Sequence, residues 1–156
     1  MKILLINTVP LEKNGISTFI LNSAMILSER GIHVTILAHN LVDTALKIKL
    51  EQNNIQLKQI TDRKRHPLSY FNELKNFLRK ERFDIVHVNG NSTTMAIELW
   101  AAKLSKVKLR IAHSHNTTTQ HPVINKILRP FFEFSVNGRL ACNKAAGKWL
   151  FGSKTF

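Results

Sequence analysis

The chain has 156 residues, of which 44% are hydrophobic, enough for one folded domain and too apolar for a disordered one. Its single cysteine excludes an internal disulfide framework and a cysteine-based zinc site, and fits a reducing cytoplasm. The formal net charge of +13 favours polyanions (nucleic acid, phosphorylated small molecules or an anionic membrane surface) without choosing among them.

Lys2 to Asn7 is a short apolar run, the pattern of a strand covered on both faces. It is too short for a signal core, and no later run approaches the ~18 apolar residues of a membrane span. A soluble, cytoplasmic chain is therefore expected. Thr8 to Gly15 holds a proline, an asparagine and a glycine and reads as a loop. Ile16 to Arg30 sets Ile16, Phe19, Ile20, Ser23, Ile26 and Leu27 at helical spacing, and Gly31 supplies the left-handed residue that ends helices. His33 to Ala38 is β-branched and predicts a second strand.

Val42 to Gln52 alternates at a helical period, whereas Ile55 to Ile60 alternates with period two, as a half-exposed strand near a sheet edge does. The positive loop Arg63-Lys64-Arg65 leads to Pro67, well placed at a first helical position. The helix it opens, Leu68 to Lys80, groups Leu68, Phe71, Leu74 and Leu78 on one side. Asp84 to Val88 is a buried strand, and Asn89-Gly90-Asn91-Ser92 follows as a turn and helix cap. Thr93 to Leu104 is almost entirely apolar, a helix buried on more than one side. Leu109 to His113 predicts a fifth strand, and Ser114 to Gln120 a polar loop. A helix is expected over Pro122 to Val136, kinked or broken at Pro130. Arg139 to Cys142 and Ala145 to Phe151 complete the pattern as a strand and a helical piece, with Cys142 a small buried hydrophobe.

Strands alternating with helices along the whole chain imply parallel strands joined by right-handed crossovers. The expected fold is a doubly wound, Rossmann-like α/β domain of about six to seven strands. Ligands of such sheets bind beyond the C-terminal ends of the strands. The loops of interest are therefore 8–15, 39–41, 61–66, 89–92 and 114–121.

Four features in those loops carry chemistry. Asn14-Gly15 opens the first helix, where a glycine lets backbone amides and the positive end of the helix dipole approach an anion. One glycine is not a dinucleotide fingerprint, and a turn glycine without a ligand reads equally well. His113 and His115 stand two apart and face the same way if the strand reaches them. With no third ligand nearby in sequence, no metal site is expected; His113 reads as structural, and His115 as a crevice residue able to hydrogen-bond a hydroxylated ligand. Asn89, Gly90 and Asn91 offer groups suited to sugar hydroxyls or phosphate, or serve only as a turn. His87 reads as a satisfied core histidine. Arg63, Lys64 and Arg65, beside the aromatics of the following helix, suit an anionic lipid surface or a solvated face. No nucleophile–base pair, carboxylate pair or P-loop is visible, and the scattered positive segments carry no stacking platform for nucleic acid.

The opening with Asn14-Gly15, the passage ILSERGIHVTIL, then FDIVHVNG and IAHSHNT fall in the order found in retaining glycosyltransferases of GT-B fold. The chain resembles the N-terminal domain of the family 4 type, which builds bacterial exopolysaccharide, capsule and lipid-linked glycans. RLACNKAAGKWLFG resembles that domain's last strand and helix. The resemblance implies an acceptor-holding domain, the nucleotide-sugar being bound mainly by a second domain that this chain lacks. It implies no metal and no cofactor beyond that co-substrate, and a lipid-diphosphate-linked or other glycan as acceptor. Gly15 would then face the donor diphosphate, with Asn14 standing where the family commonly has another glycine. His115 would match the cleft histidine that contacts the transferred sugar, with Asn89, Gly90, Asn91, His113 and Asn116 on the substrate side. Alone, such a domain would fold without turning over, at the inner face of the membrane. The alternative is a stand-alone Rossmann-like module for a nucleotide or phosphorylated metabolite.

Overall fold

The structure, a computed structural model, describes residues 1–119 and 122–155. Six strands form one all-parallel sheet in the order β3-β2-β1-β4-β5-β6. They are β1 (Lys2–Asn7), β2 (His33–Ala38), β3 (Ile55–Gln59), β4 (Ile85–Gly90), β5 (Leu109–Ser114) and β6 (Gly138–Ala141). The helices between and after them are α1 (Gly15–Glu29), α2 (Thr44–Gln52), α3 (Pro67–Glu81), α4 (Ala96–Leu104), α5 (Pro122–Ser135) and α6 (Lys144–Phe151). A single 3₁₀ turn, Thr93–Met95, runs into α4.

The alternation along β1 explains the two layers of helices. Leu4 and Ile6 point into a core shared with α3, α4, α5 and α6, while Ile3 and Leu5 point into a second core under α1 and α2. A strand covered on both faces has no polar side, which is why β1 reads as an unbroken apolar run. Strand β3 lies at the sheet edge, as its alternating sequence predicts, with Gln56 exposed and Ile55 buried.

Local chemistry sets the helix ends. Asn14 caps α1 by accepting the Ser17 N–H at 2.9 Å, and Gly31 follows its C-terminus at φ +73°. Pro67 opens α3. Three details depart from expectation. Leu68 is 79% exposed, because the inward stripe of α3 is Tyr70, Leu74 and Leu78, one turn apart. Ile26 is likewise half exposed, since α1 buries Ser17, Ile20 and Ala24 instead. Helix α5 runs continuously through Pro130. The carbonyl that loses its partner there is that of Lys126, and both residues are on the exposed side of the helix, where water replaces the lost bond.

Candidate functional site

Strands β1 and β4 are neighbours, yet the chain leaves them in opposite directions, towards β2 and towards β5. Near their C-terminal ends Asn7 and Asn89 sit side by side in register. This switch point opens a crevice beyond the strand ends. A cleft of about 600 Å³ lies there, with Asn14, Gly15, Phe19, Asn91, His115 and Asn116 among its walls.

One wall is the N-terminus of α1. The Asn14 side chain is occupied by the Ser17 amide and by the Pro10 carbonyl at 3.2 Å, which fixes the loop. Gly15 is not demanded by the fold: a Cβ there would meet nothing within 4 Å, and its φ lies outside the left-handed range. The missing side chain leaves room at a helix end whose first amides are available to an anion.

His115, on the cleft wall, belongs to a stack of three histidines. His87 and His113 lie parallel with centroids 5.3 Å apart, and His113 and His115 stack at 4.2 Å. Phe19 of α1 meets all three rings edge-on, at 4.7 Å from His113 and 5.1 Å from His115. The His87 Nε2 and His113 Nδ1 share a hydrogen bond of 3.1 Å. Burial, reinforced by the neighbouring rings, pushes the His87 pKa down to about 4 and that of His113 to about 3; burial also lowers His115. All three are therefore neutral at physiological pH.

The His115 Nε2 lies 3.0 Å from Asn89 Oδ1, and the Asn89 Nδ2 faces the carbonyls of Ile6 and His87 at 3.4 Å each. That arrangement makes Oδ1 the acceptor and puts the imidazole proton on Nε2. The Nδ1 lone pair is left to accept from a ligand hydroxyl.

A second recess of about 220 Å³ adjoins the first, sharing Asn91 and Asn116. Ser92, Thr94 and Thr118 line it, with Arg63 and Lys64 beside them; Thr8 lines it too, but its hydroxyl is turned inward and donates to the Asn89 carbonyl at 2.8 Å. The Asn91 Oδ1 is buried with no hydrogen-bond partner. Such a surface matches the donors and acceptors of a polyhydroxylated ligand.

Of the expected site residues, Asn14, Gly15, Asn91, His115 and Asn116 line these openings. Asn89, Gly90 and His113 do not. Asn89 is fully buried and holds His115; His113 is the middle of the stack. Gly90 is buried and closely packed: a Cβ there would come within 2.5 Å of Thr8 Oγ1 and 3.1 Å of Met95. His87 is partnered inside the stack, as expected. Arg63 is corrected more fully. Its side chain is only 10% exposed and turned inward: its Nε donates to Glu98 at 2.5 Å and its Nη2 to the Thr94 carbonyl at 2.7 Å, Glu98 is fully buried, and Arg63 lines the smaller recess. Lys64 and Arg65 are exposed. Cys142, expected in the core, is exposed at the cleft, with its Sγ 3.4 Å from the His115 carbonyl oxygen. The end of the loop after β5, residues 120 and 121, lies outside the described residues.

Phe19, Thr94 and Thr118 are lining residues that the sequence reading missed. Phe19 shares its helical spacing with the core face of α1, and nothing in one dimension separates the two roles. Among the described residues no group of three His, Cys, Asp or Glu is placed to hold a metal ion, and no helix is long and apolar enough to cross a membrane.

Solved structures share this fold at low identity. MurG of Acinetobacter baumannii superposes with a TM-score of 0.65 at 15% identity, over 93% of this chain and 41% of its own. Anabaena Alr3699/HepE, in complex with UDP, gives 0.67 at 16% identity, over 94% and 39%. The UDP-GlcNAc 2-epimerase of Neisseria meningitidis, bound to UDP-GlcNAc, gives 0.61 at 15% identity, over 100% and 44%. The chain thus spans about two fifths of the length of these proteins, the N-terminal half of the GT-B architecture. No curated protein sequence matches it. Residues 13–147 match the model of Glycosyltransferase Family 4, and the chain belongs to that family.

Proposed function

We propose that this chain is the acceptor-side domain of a retaining glycosyltransferase that passes a sugar from a nucleotide-sugar to a glycan acceptor, lipid-diphosphate-linked, in bacterial surface polysaccharide synthesis. One observation supports this reading above the others: the two adjoining openings differ in chemistry. The larger pairs a helix N-terminus, bare at Gly15, with neutral His115. The smaller is lined by hydroxyls and amides beside Lys64.

In this reading the donor diphosphate lies over the α1 amides, where the helix dipole offsets its charge. A second domain supplies most of the donor contacts. The His115 Nδ1 accepts from a hydroxyl of the transferred sugar, and the acceptor hydroxyl approaches from the Thr94 and Asn116 side. Among the described residues that line the two openings there is no carboxylate, which keeps repulsion of both phosphorylated substrates low. The uridine diphosphate and glucose held by HepE make UDP-glucose a reasonable donor probe.

Titrating the ¹⁵N-labelled chain tests this. A soluble glycan-diphosphate acceptor analogue is expected to move the amide signals of Asn91, His115 and Asn116, and UDP-glucose to bind only weakly. Tight nucleotide binding with no response to the acceptor analogue would favour the stand-alone nucleotide module instead.

A further inference from the structure

Strand β3 forms one margin of the sheet, with no strand beyond it among the described residues. The Ile60 N–H donates to the Ala38 carbonyl at 3.2 Å, and β2 and β3 pair one to one from Val34 with Ile55 to Ala38 with Gln59. Backbone groups alternate sides along a strand, so Gln56 and Lys58 serve the ladder to β2. Ile55, Leu57 and Gln59 therefore turn their N–H and C=O groups outward. A groove of about 510 Å³ runs along this margin, lined by Ile55, Gln56, Leu57 and Lys58 in succession, so the edge is uncovered.

Exposed sheet edges are commonly blunted by a proline, a bulge or a charge. Strand β3 has no proline and no bulge, and its one charge, Lys58, lays its Nζ over the Phe77 ring at 5.4 Å from the centroid. The other margin differs: β6 has four residues and carries the ion-paired Arg139. The β3 margin also escapes the excess charge of a +13 chain. Glu51, Glu73 and Glu81 stand there with Lys58 and Lys80, so two such margins approach without net positive repulsion.

We propose that the chain forms a two-fold dimer in which β3 pairs antiparallel with β3 of a second copy, continuing the sheet. An axis at Leu57 sets Leu57 against its own copy and Ile55 against Gln59. Every outward amide and carbonyl of β3 then finds a partner. The same register sets Lys58 against Gln56, whereas an axis at Lys58 would oppose two lysines. Leu57, which is half-buried against the core under α1 and α2, gains an apolar neighbour in its own copy. This self-complementarity is what favours a second copy over a foreign peptide. Because the joined strands run antiparallel, the two crevices open at opposite ends of the shared sheet. The dimer is independent of the glycosyltransferase reading.

Sedimentation velocity of the chain from about 1 to about 100 µM tests it, a range suited to an interface of small area. A monomer–dimer equilibrium is expected, and Leu57→Pro should weaken it by about tenfold or more. That change removes an outward N–H and no bond of the β2–β3 ladder. A cross-link covers the case in which Leu57→Pro fails to fold. In Leu57→Cys/Cys142→Ser the two thiols meet on the axis, with Cα atoms about 5.5 Å apart, within reach of a disulfide. This variant should form a covalent dimer under mild oxidation, whereas Glu29→Cys/Cys142→Ser, altered at an exposed position of α1, should not. In dilute solution the amides of Ile55, Leu57 and Gln59 exchange as those of an edge strand, and their exchange should slow as concentration rises. A monomer at every concentration overturns the proposal. So does a dimer that survives in folded Leu57→Pro, that leaves Leu57→Cys/Cys142→Ser without a cross-link, or that dissolves with Ile127→Gln/Phe134→Gln on the exposed side of α5. None of these outcomes bears on acceptor or donor titrations, so the two readings fail separately.

Discussion

Two glycines at the crevice have opposite reasons for being there. Gly90 sits where a Cβ would run into Thr8 Oγ1 and Met95, so Gly90→Ala should destabilise the fold by about 1–3 kcal/mol in denaturant titration. Gly15 has open space around it, so Gly15→Ala should leave stability within about 0.5 kcal/mol, and under the proposed function it should weaken binding of a nucleotide-sugar. The histidine stack gives a pH signature. His87 and His113 are held neutral in the folded chain, with pKa values near 4 and 3, against about 6.5 when unfolded. Between those limits the unfolded state binds protons that the native state refuses. Stability is thus fully present above about pH 6.5 and falls as the pH drops towards 4, by on the order of 4 kcal/mol for the two together at pH 5. Melting the chain and a His87→Gln variant across this range checks it; the variant should show a shallower decline. At this scale the sequence picks out His115 through its place at a strand end. It does not pick out Asn89 as the group that sets the His115 tautomer, because that contact joins adjacent strands 26 residues apart.

An ion pair with little exposure to solvent joins two elements here. Arg63, in the loop before α3, reaches Glu98 on α4, with the buried Tyr70 hydroxyl close by; burial and then the Glu98 charge hold the Tyr70 pKa well above its ordinary value. Truncating one partner leaves a buried charge, so Arg63→Ala should cost about 3–5 kcal/mol in denaturant titration. The double change Arg63→Met/Glu98→Gln should recover most of that loss, which distinguishes an uncompensated charge from lost packing. The helix cap is a smaller contribution: Asn14→Ala should cost about 1 kcal/mol of stability. Both features were half legible. The positive run 63–65 stands out in the sequence, as does the lone acid within the apolar α4 segment. Their partnership does not, because a charge run reads as solvated until the fold buries one member of it. Helix α5 shows the same limit: the sequence places a helix there, and only packing decides which of its apolar residues face the core and which have no neighbour among the described residues.

At the scale of the molecule, both cores are built on one sheet. The central strands β1 and β4 contribute to each, whereas β3 and β6 have a neighbour on one side only. Hydrogen exchange should therefore be slowest in β1 and β4 and fastest, among the strands, in β3 and β6. A uniform exchange rate across all six would show that the edges are not the weak points. The sequence by itself determined the fold class, the order of elements and the end of the sheet where chemistry can occur. Each of these follows from short-range periodicity, turn residues and the alternation of strand with helix, which are written along the chain. Tertiary structure alone decided which site residues reach the cleft, which histidine is anchored by which amide, that Arg63 is inside, and that α5 shows an apolar face to the surroundings. Those outcomes depend on contacts between strands and helices distant in sequence, and burial is a property of the packed molecule rather than of any segment of it.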